Sequence, residues 1–265
     1  METLRTVEAI RRALDPHRSG ALVGLVPTMG ALHEGHVALF REARRRCQVV
    51  VASLFVNPTQ FGDPADLAAY PRDEARDART AAGAGVDYLF APGVGEMYPE
   101  GYATWIEVAG PARGLESDFR PGHFRGVATV CLKLFSIVRP QVAVFGQKDA
   151  QQVAVIRRLV RDLDLELTLA VVPTVRDADG LALSSRNVRL SPAERARALA
   201  IPRALQAGAA AYRAGGDAAG AARAELAGVQ VEYVTVADFD GRPTLAIAAR
   251  VGGTRLIDNA PLDRG

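Results

Sequence analysis

Two histidines three residues apart, His33 and His36, stand in the run Pro27-Thr28-Met29-Gly30-Ala31-Leu32-His33-Glu34-Gly35-His36. There an apolar, strand-like segment gives way to a helical pattern. Two imidazoles on one side of a helix start can donate hydrogen bonds to phosphate oxygens, and the backbone N–H groups of that start favour an anion. Such a pair can also be structural or hold a metal, but no Cys or carboxylate stands at zinc spacing from it. The glycines, the junction and the pairing together favour phosphate contact.

Four further polar runs follow apolar segments or enter helices. In Phe55-Val56-Asn57-Pro58-Thr59-Gln60-Phe61-Gly62, the amides of Asn57 and Gln60 can grip a small polar substrate by a hydroxyl or carboxylate. Asn-Pro also spells a turn. Arg120–Val127 (RPGHFRGV) is a loop entering a helix, for which a structural role serves equally well. In Gly146-Gln147-Lys148-Asp149-Ala150-Gln151-Gln152, Lys148 can neutralise phosphate charge and Asp149 can accept from a ribose hydroxyl. Gln152 faces the same mouth one helical turn beyond Lys148, although a lysine and an aspartate can simply cap a helix. In Asp179–Asn187 (DGLALSSRN), Ser184, Ser185 and Arg186 make a phosphate clamp with bidentate guanidinium donors. The plain alternative there is an exposed polar turn.

These runs need a scaffold. Ala21–Pro27, Val49–Val56, Asp87–Phe90, Gln141–Phe145 and Leu165–Val172 read as strands. Between them, helical patterns cover about Gly35–Arg46, Glu74–Ala84, Phe124–Val138 and Ala150–Asp162. Strands alternating with helices of this length imply a parallel sheet covered on both faces, with ligands at the carboxyl ends of the strands. The N-terminal METLRTVEAIRRAL is amphipathic, with Val7, Ile10 and Leu14 on one side. After about Thr174 the texture changes: Ser191-Pro192 starts an Ala/Arg-rich helix running to about Ala214, Gly215-Gly216 breaks it, and a short helix follows from Asp217. Val229–Ala237, Thr244–Val251 and Thr254–Ile257 then form an antiparallel meander turning at Asp240-Gly241. The expected architecture is α/β, with a parallel-sheet domain over 1–174 and a smaller α+β domain over 175–265.

The composition narrows the function. The 265 residues are 49% apolar and 23% charged, with net charge +2 from 32 basic and 30 acidic side chains. That balance argues against a nucleic-acid binder, and Arg44-Arg45-Arg46 is better placed as the cationic end of a helix. Two distant cysteines, Cys47 and Cys131, read as buried thiols. No secretory signal or membrane-length apolar run is present, so a soluble cytoplasmic protein is expected. A P-loop signature, a complete dinucleotide fingerprint and a Gly-x-Ser-x-Gly elbow are all missing.

The His33–His36 pair and the later Ser-Ser-Arg clamp resemble the HIGH and KMSKS signatures of the nucleotidylyltransferase superfamily. More closely, PTMGALHEGH, FVNPTQFG, YPRD (Tyr70–Asp73), RPGHFRGV, FGQKDAQQ, DGLALSSRN and TRLIDN (Thr254–Asn259) resemble the pantothenate synthetase family in order and spacing. The resemblance implies a Rossmann-like domain with a smaller C-terminal lid, a homodimer, and the small-molecule substrates pantoate and β-alanine. It implies adenylation of (R)-pantoate by ATP, with Mg²⁺, followed by displacement of AMP by β-alanine. By the same resemblance Met29, Gly30, Ala31, Leu32, His33, Glu34, Gly35 and His36 line the ATP, and the catalytic set is His36 with His33, Lys148, Ser184, Ser185 and Arg186. Gly146, Gln147, Lys148, Asp149, Val175, Leu183, Ser184, Ser185 and Arg186 complete the nucleotide site. Gln60 holds pantoate and β-alanine, and Gln152 holds pantoate. Leu183 replaces a methionine common in the family, a swap that keeps volume and apolarity. The metal ligands are not identified; acidic side chains near Asp73 are one option. Two rival readings are a nucleotidylyltransferase acting on a phosphate acceptor and a catalytically silent nucleotide-binding module.

Overall fold

Six parallel strands carry the first part of the chain in the computed structural model, which describes residues 1–239 and 241–263. They are β1 (Glu2–Leu4), β2 (Val23–Thr28), β3 (Val49–Leu54), β4 (Tyr88–Phe90), β5 (Val142–Gly146) and β6 (Thr168–Val172). Their spatial order is β1-β4-β3-β2-β5-β6. From β2 the chain steps outward through β3 and β4, then returns to lay β5 on the other side of β2. The direction of winding therefore reverses between β2 and β5, and in such sheets ligands bind beyond the carboxyl ends of the strands at that point.

The central strands β2, β3 and β5 are buried on both faces. Val23, Leu25, Val49, Val51 and Phe90 pack on one side, against Ile10 and Leu14, against Phe124–Val138 of the helix His123–Val138, and against Val153, Ile156 and Leu159. Val26, Val50, Ala52, Val144 and Ala170 face the other side and meet Phe40, Ala43 and Ala81. Alternation along each strand sends successive side chains to opposite layers, so a continuous apolar run is what a doubly covered strand requires.

At the N-terminus Val7, Ile10 and Leu14 face the core as expected, and the structure adds a strand before them. The amphipathic segment is split: Glu2–Leu4 pairs with β4, and the helix starts only at Val7, capped by Thr6, whose hydroxyl accepts from the Ala9 N–H at 3.1 Å. The three basic residues ending the helix Glu34–Arg46 are paired as well. Arg45 and Arg46 reach back to Glu42 at 2.9 and 2.5 Å, which holds its carboxyl down at about 2, and Arg44 pairs with Asp87.

By packing, the chain divides into two units. The first comprises Met1–Gly146 and Gln151–Val172; the second comprises Gln147–Ala150 together with the residues from Pro173 onward. The short segment Gln147–Ala150 thus groups with the C-terminal residues, a division that linear sequence does not display. In the second unit β7 (Gln230–Asp238), β8 (Pro243–Val251) and β9 (Thr254–Pro261) form an antiparallel sheet. Helices Pro192–Ala198, Ala200–Arg213 and Ala218–Ala224 lie in the same unit, where Ile201, Leu205 and Ala222 share a core with Leu245 and Ile247. Ser191 and Glu194 cap the first of them reciprocally. The helix expected to continue to Ala214 is interrupted at Leu199. Pro202 explains this: it has no N–H to give the Ala198 carbonyl, and its ring collides with it. At the β7–β8 turn, Asp240 lies outside the described residues. Among the described residues no helix is long and apolar enough to cross a membrane.

Candidate active site

Beyond the end of β2 the backbone turns sharply. Gly30 has φ +87° and Ala31 φ +51°, both in the left-handed region. At Gly30 a Cβ would lie 2.8 Å from both Asp77 Oδ2 and Leu54 Cδ1, so glycine is required on two counts. The turn is held by one buried carboxylate: Asp77 accepts from the Ala31 N–H at 2.9 Å and the Leu32 N–H at 2.8 Å. The Thr28 hydroxyl takes the Gly30 N–H at 3.3 Å and donates to the Ser53 carbonyl at 2.6 Å.

His33 is the N-cap residue of the helix Glu34–Arg46, in extended conformation, so the helix begins one residue later than a shared helical face for the two histidines needs. The rings instead meet through a capping box. His33 Nδ1 accepts from the Gly35 N–H at 3.1 Å, and His36 Nδ1 accepts from the His33 N–H at 3.2 Å, with ring centroids 4.2 Å apart. A neutral imidazole that accepts at Nδ1 carries its proton on Nε2, so both rings are fixed as Nε2–H donors. The amides of Gly30, Ala31, Leu32, His33 and Gly35 are consumed by side chains. The helix start is therefore not the open row of backbone donors that the sequence suggests.

The second motif follows β3. Asn57 is 1% exposed and its amide is fully engaged. Its nitrogen donates to Gln60 Oε1 at 3.0 Å and to the Gly126 carbonyl at 3.2 Å; its oxygen accepts from the hydroxyls of Thr59 and Tyr98, both at 2.9 Å. With these bonds Asn57 builds the turn Pro58–Gln60. Gln60, 7% exposed, has its oxygen taken by Asn57, while its amide nitrogen has no partner among the described residues. The Gln60 carbonyl accepts from His123 Nδ1 at 2.9 Å, and His123 Nε2 lies 3.2 Å from an Arg120 nitrogen. Carbonyl and guanidinium together set the His123 tautomer as Nδ1–H. At Gly126 an added Cβ would meet the Thr59 carbonyl oxygen at 2.5 Å. The run Arg120–Val127 is thus the buttress of the Gln60 turn. After β5, Gln152 is partly buried and its side chain makes no hydrogen bond to the described residues, while Gln151 fastens the 111–116 loop through the carbonyls of Pro111 and Gly114 and the Glu116 N–H, at 3.0 to 3.1 Å.

The second unit gathers the remaining motifs. Lys148 and Asp149 lie in the one-turn helix Gln147–Asp149, partly buried. Asn259 donates to the Gln147 and Lys148 carbonyls, both at 2.9 Å. Leu183 is tied to Val175 by a backbone bond of 3.0 Å, and Ser184 caps the turn Ser185–Arg189 by accepting the Arg186 N–H at 3.2 Å. Arg176 forms a bidentate pair with buried Asp258 at 2.6 and 3.0 Å and donates to the Gly180 carbonyl at 3.1 Å.

A family model described as Pantoate-beta-alanine ligase matches residues 2–261. The chain belongs to the pantoate–β-alanine ligase family. The pantothenate synthetase of Moorella thermoacetica is 50% identical over 280 residues, covering 99% of each chain, and that of Rhizorhabdus wittichii 52% over 279 residues at the same coverage. Among solved structures, pantothenate synthetase from Thermus thermophilus aligns with a TM-score of 0.92 at 47% identity, over 98% of this chain and 99% of that one. Pantoate-beta-alanine ligase from Francisella tularensis, complexed with beta-gamma ATP and beta-alanine, aligns with a TM-score of 0.87 at 34% identity over 98% and 97%. Both the family and the two-part α/β architecture read from the sequence are borne out. Family membership makes the chain an enzyme, a ligase joining a carboxylic acid to an amine.

No group of three or more His, Cys, Asp or Glu among the described residues is arranged to hold a metal ion. Asp73 serves as a helix cap, accepting the Arg76 N–H at 3.0 Å. Sequence reading passes over Asp77, His123, Gln151 and the Asp258–Asn259 pair as working residues. His123, Gln151 and Asp258–Asn259 lie in runs that stand out in the sequence, but Asp77 is an ordinary helix residue until the fold brings a loop to it.

Proposed function

We propose that this chain condenses (R)-pantoate with β-alanine in two half-reactions driven by ATP. The pantoate carboxylate attacks the α-phosphorus in line and pyrophosphate leaves; the β-alanine amine then attacks the acyl carbon of pantoyl-adenylate and AMP leaves. The observation that carries this reading is the capping box between His33 and His36. It fixes two Nε2–H donors, without acceptor competition from their own Nδ1 atoms, on the loop that follows the switch-point strand. Preorganised donors of this kind stabilise charge developing on a phosphoryl group.

In this reading Met29, Gly30, Ala31, Leu32, His33, Glu34, Gly35 and His36 line the nucleotide, with His36 catalytic. Gly146, Gln147, Lys148, Asp149, Val175, Leu183, Ser184, Ser185 and Arg186 bind it as well, with Lys148 and Ser184–Arg186 neutralising phosphate charge. Gln60 presents its unpaired amide nitrogen to pantoate and β-alanine, and Gln152 binds pantoate. ATP is taken as its Mg²⁺ complex. The domain over 1–174 takes ATP and pantoate, the domain over 175–265 is the lid, and the enzyme works as a cytoplasmic homodimer. The ATP and β-alanine named for the Francisella tularensis structure agree with this choice of substrates.

The test is release of pyrophosphate and AMP from ATP with pantoate, with and without β-alanine. Pantoate-dependent pyrophosphate, with AMP turnover only when β-alanine is added, is the expected result. Pyrophosphate release indifferent to pantoate would overturn the assignment.

A further inference from the structure

We infer that Asp258 and Asn259, in the second half of β9, are positioning residues that hold the two arms of the second unit in working register. One arm is the Lys148 turn and the other is the segment that carries Ser184 to Arg186. The inference rests on the proposed role of those arms in ATP binding and adds to it the residues that set their geometry.

Neighbouring residues of a strand point to opposite sides, and in an edge strand at least one is usually solvated. Asp258 and Asn259 lie in edge strand β9, yet they are 3% and 5% exposed. Two buried polar side chains in a row must both be satisfied, and here each is satisfied by a different arm. Asn259 spends both amide hydrogens on consecutive carbonyls, those of Gln147 and Lys148 at 2.9 Å, and its oxygen accepts from Gln147 Nε2 at 3.3 Å. A primary amide has two donors, and holding two adjacent carbonyls leaves the turn little freedom about its axis. Asp258 takes the Arg176 guanidinium in bidentate fashion and also accepts the Asn259 N–H at 2.8 Å. Arg176 in turn bonds the Gly180 carbonyl and forms the isolated bridge to Ala182, two residues before Ser184. A displacement of this part of the strand therefore moves both arms. None of these contacts uses the Lys148 ammonium, the Ser185 hydroxyl or the Asp149 carboxylate.

The decisive substitution is Asn259→Asp, equal in shape, which deletes both donors and sets a carboxylate against two carbonyl oxygens. Single-turnover pyrophosphate formation should fall by about 10² in kcat, the scale of losing one placed charge-stabilising group, with KM for pantoate unchanged. If Asn259 acts through Lys148, then Asn259→Asp in a Lys148→Ala background should add less than about threefold. Full additivity in that cycle would overturn the inference. Hydrogen exchange needs no substrate: amides of residues 147–149 should exchange at least about tenfold faster in Asn259→Asp while those of β7 and β8 stay protected. Unchanged exchange at 147–149 would overturn the inference even if the proposed reaction proved wrong. A wild-type chain with no pantoate-dependent pyrophosphate would instead sink the functional reading alone. Should Asn259→Asp not fold, Asn259→Ser carries the same cycle and the same exchange measurement.

Discussion

The loop after β2 and the arms of the second unit are proposed to meet the same kind of ligand group, and they are anchored by opposite chemistry. The loop is held through its N–H groups: a buried carboxylate, Asp77, and two imidazole nitrogens collect the amides of Ala31, Leu32, His33 and Gly35. The Lys148 turn is held through its carbonyls, by the neutral amide of Asn259. The histidine loop therefore gives up most of its backbone donors to the scaffold and must work with side-chain donors, which its capping box orients. The Lys148 turn, whose anchor bonds two of its carbonyls and the Gln147 side-chain amide, leaves its backbone N–H groups out of that anchor. In the proposed reading, anchoring the loop by its backbone donors gives recognition to its side chains.

Deleting a side-chain donor tests this contrast most severely. His36→Ala is expected to lower single-turnover pyrophosphate formation by about 10²–10³, with the circular dichroism spectrum unchanged. Near-normal rates would mean that backbone amides suffice. Asp77→Asn asks how much the buried anchor is worth. An amide turns one acceptor into a donor facing the Ala31 or Leu32 N–H, so a destabilisation of about 2–3 kcal/mol in urea unfolding is expected, with weaker ATP binding. A matching loss of activity without loss of stability would assign Asp77 to chemistry instead. Gly126→Ala tests the Gln60 buttress: its Cβ would meet the Thr59 carbonyl, costing about 1–3 kcal/mol and raising KM for pantoate more than KM for ATP. Glu42 is the control, outside every proposed ligand-binding run. Its carboxyl is depressed from 4.5 to about 2 by hydrogen bonds from Arg45 and Arg46, so its contribution is present above pH 4.5 and fades as pH falls through about 2. Glu42→Gln should cost no more than about 1 kcal/mol at neutral pH and nothing at the acid limit, with adenylation unaffected.

The sheet is legible in the sequence because buried parallel strands demand continuous apolar runs, and Val49–Val51 with the flanking helical patterns satisfy that demand locally. The break at Leu199 is equally present there, in Pro202, but is masked by a long Ala/Arg-rich pattern. Strand β1 is not legible, because three residues of mixed polarity become a strand only when β4 offers an edge. The histidine pair stands out from type and spacing alone. Its geometry does not: a one-residue shift in the helix start converts a shared face into a reciprocal cap. The bonding of Asn57 is equally hidden, since an amide at a strand end looks the same in sequence whether or not Gln60, Gly126, Thr59 and Tyr98 are bonded to it.

Periodicity and the order of residue types suffice for the alternation of strands and helices, for the placement of polar runs after them and for the family those runs spell. Which groups remain available for chemistry is settled only once the chain has folded. Asp77 lies 46 residues beyond Ala31, and Asn259 lies 111 beyond Lys148. Whether a donor is spent on the scaffold or left for a ligand depends on partners that distant, and no local pattern records them.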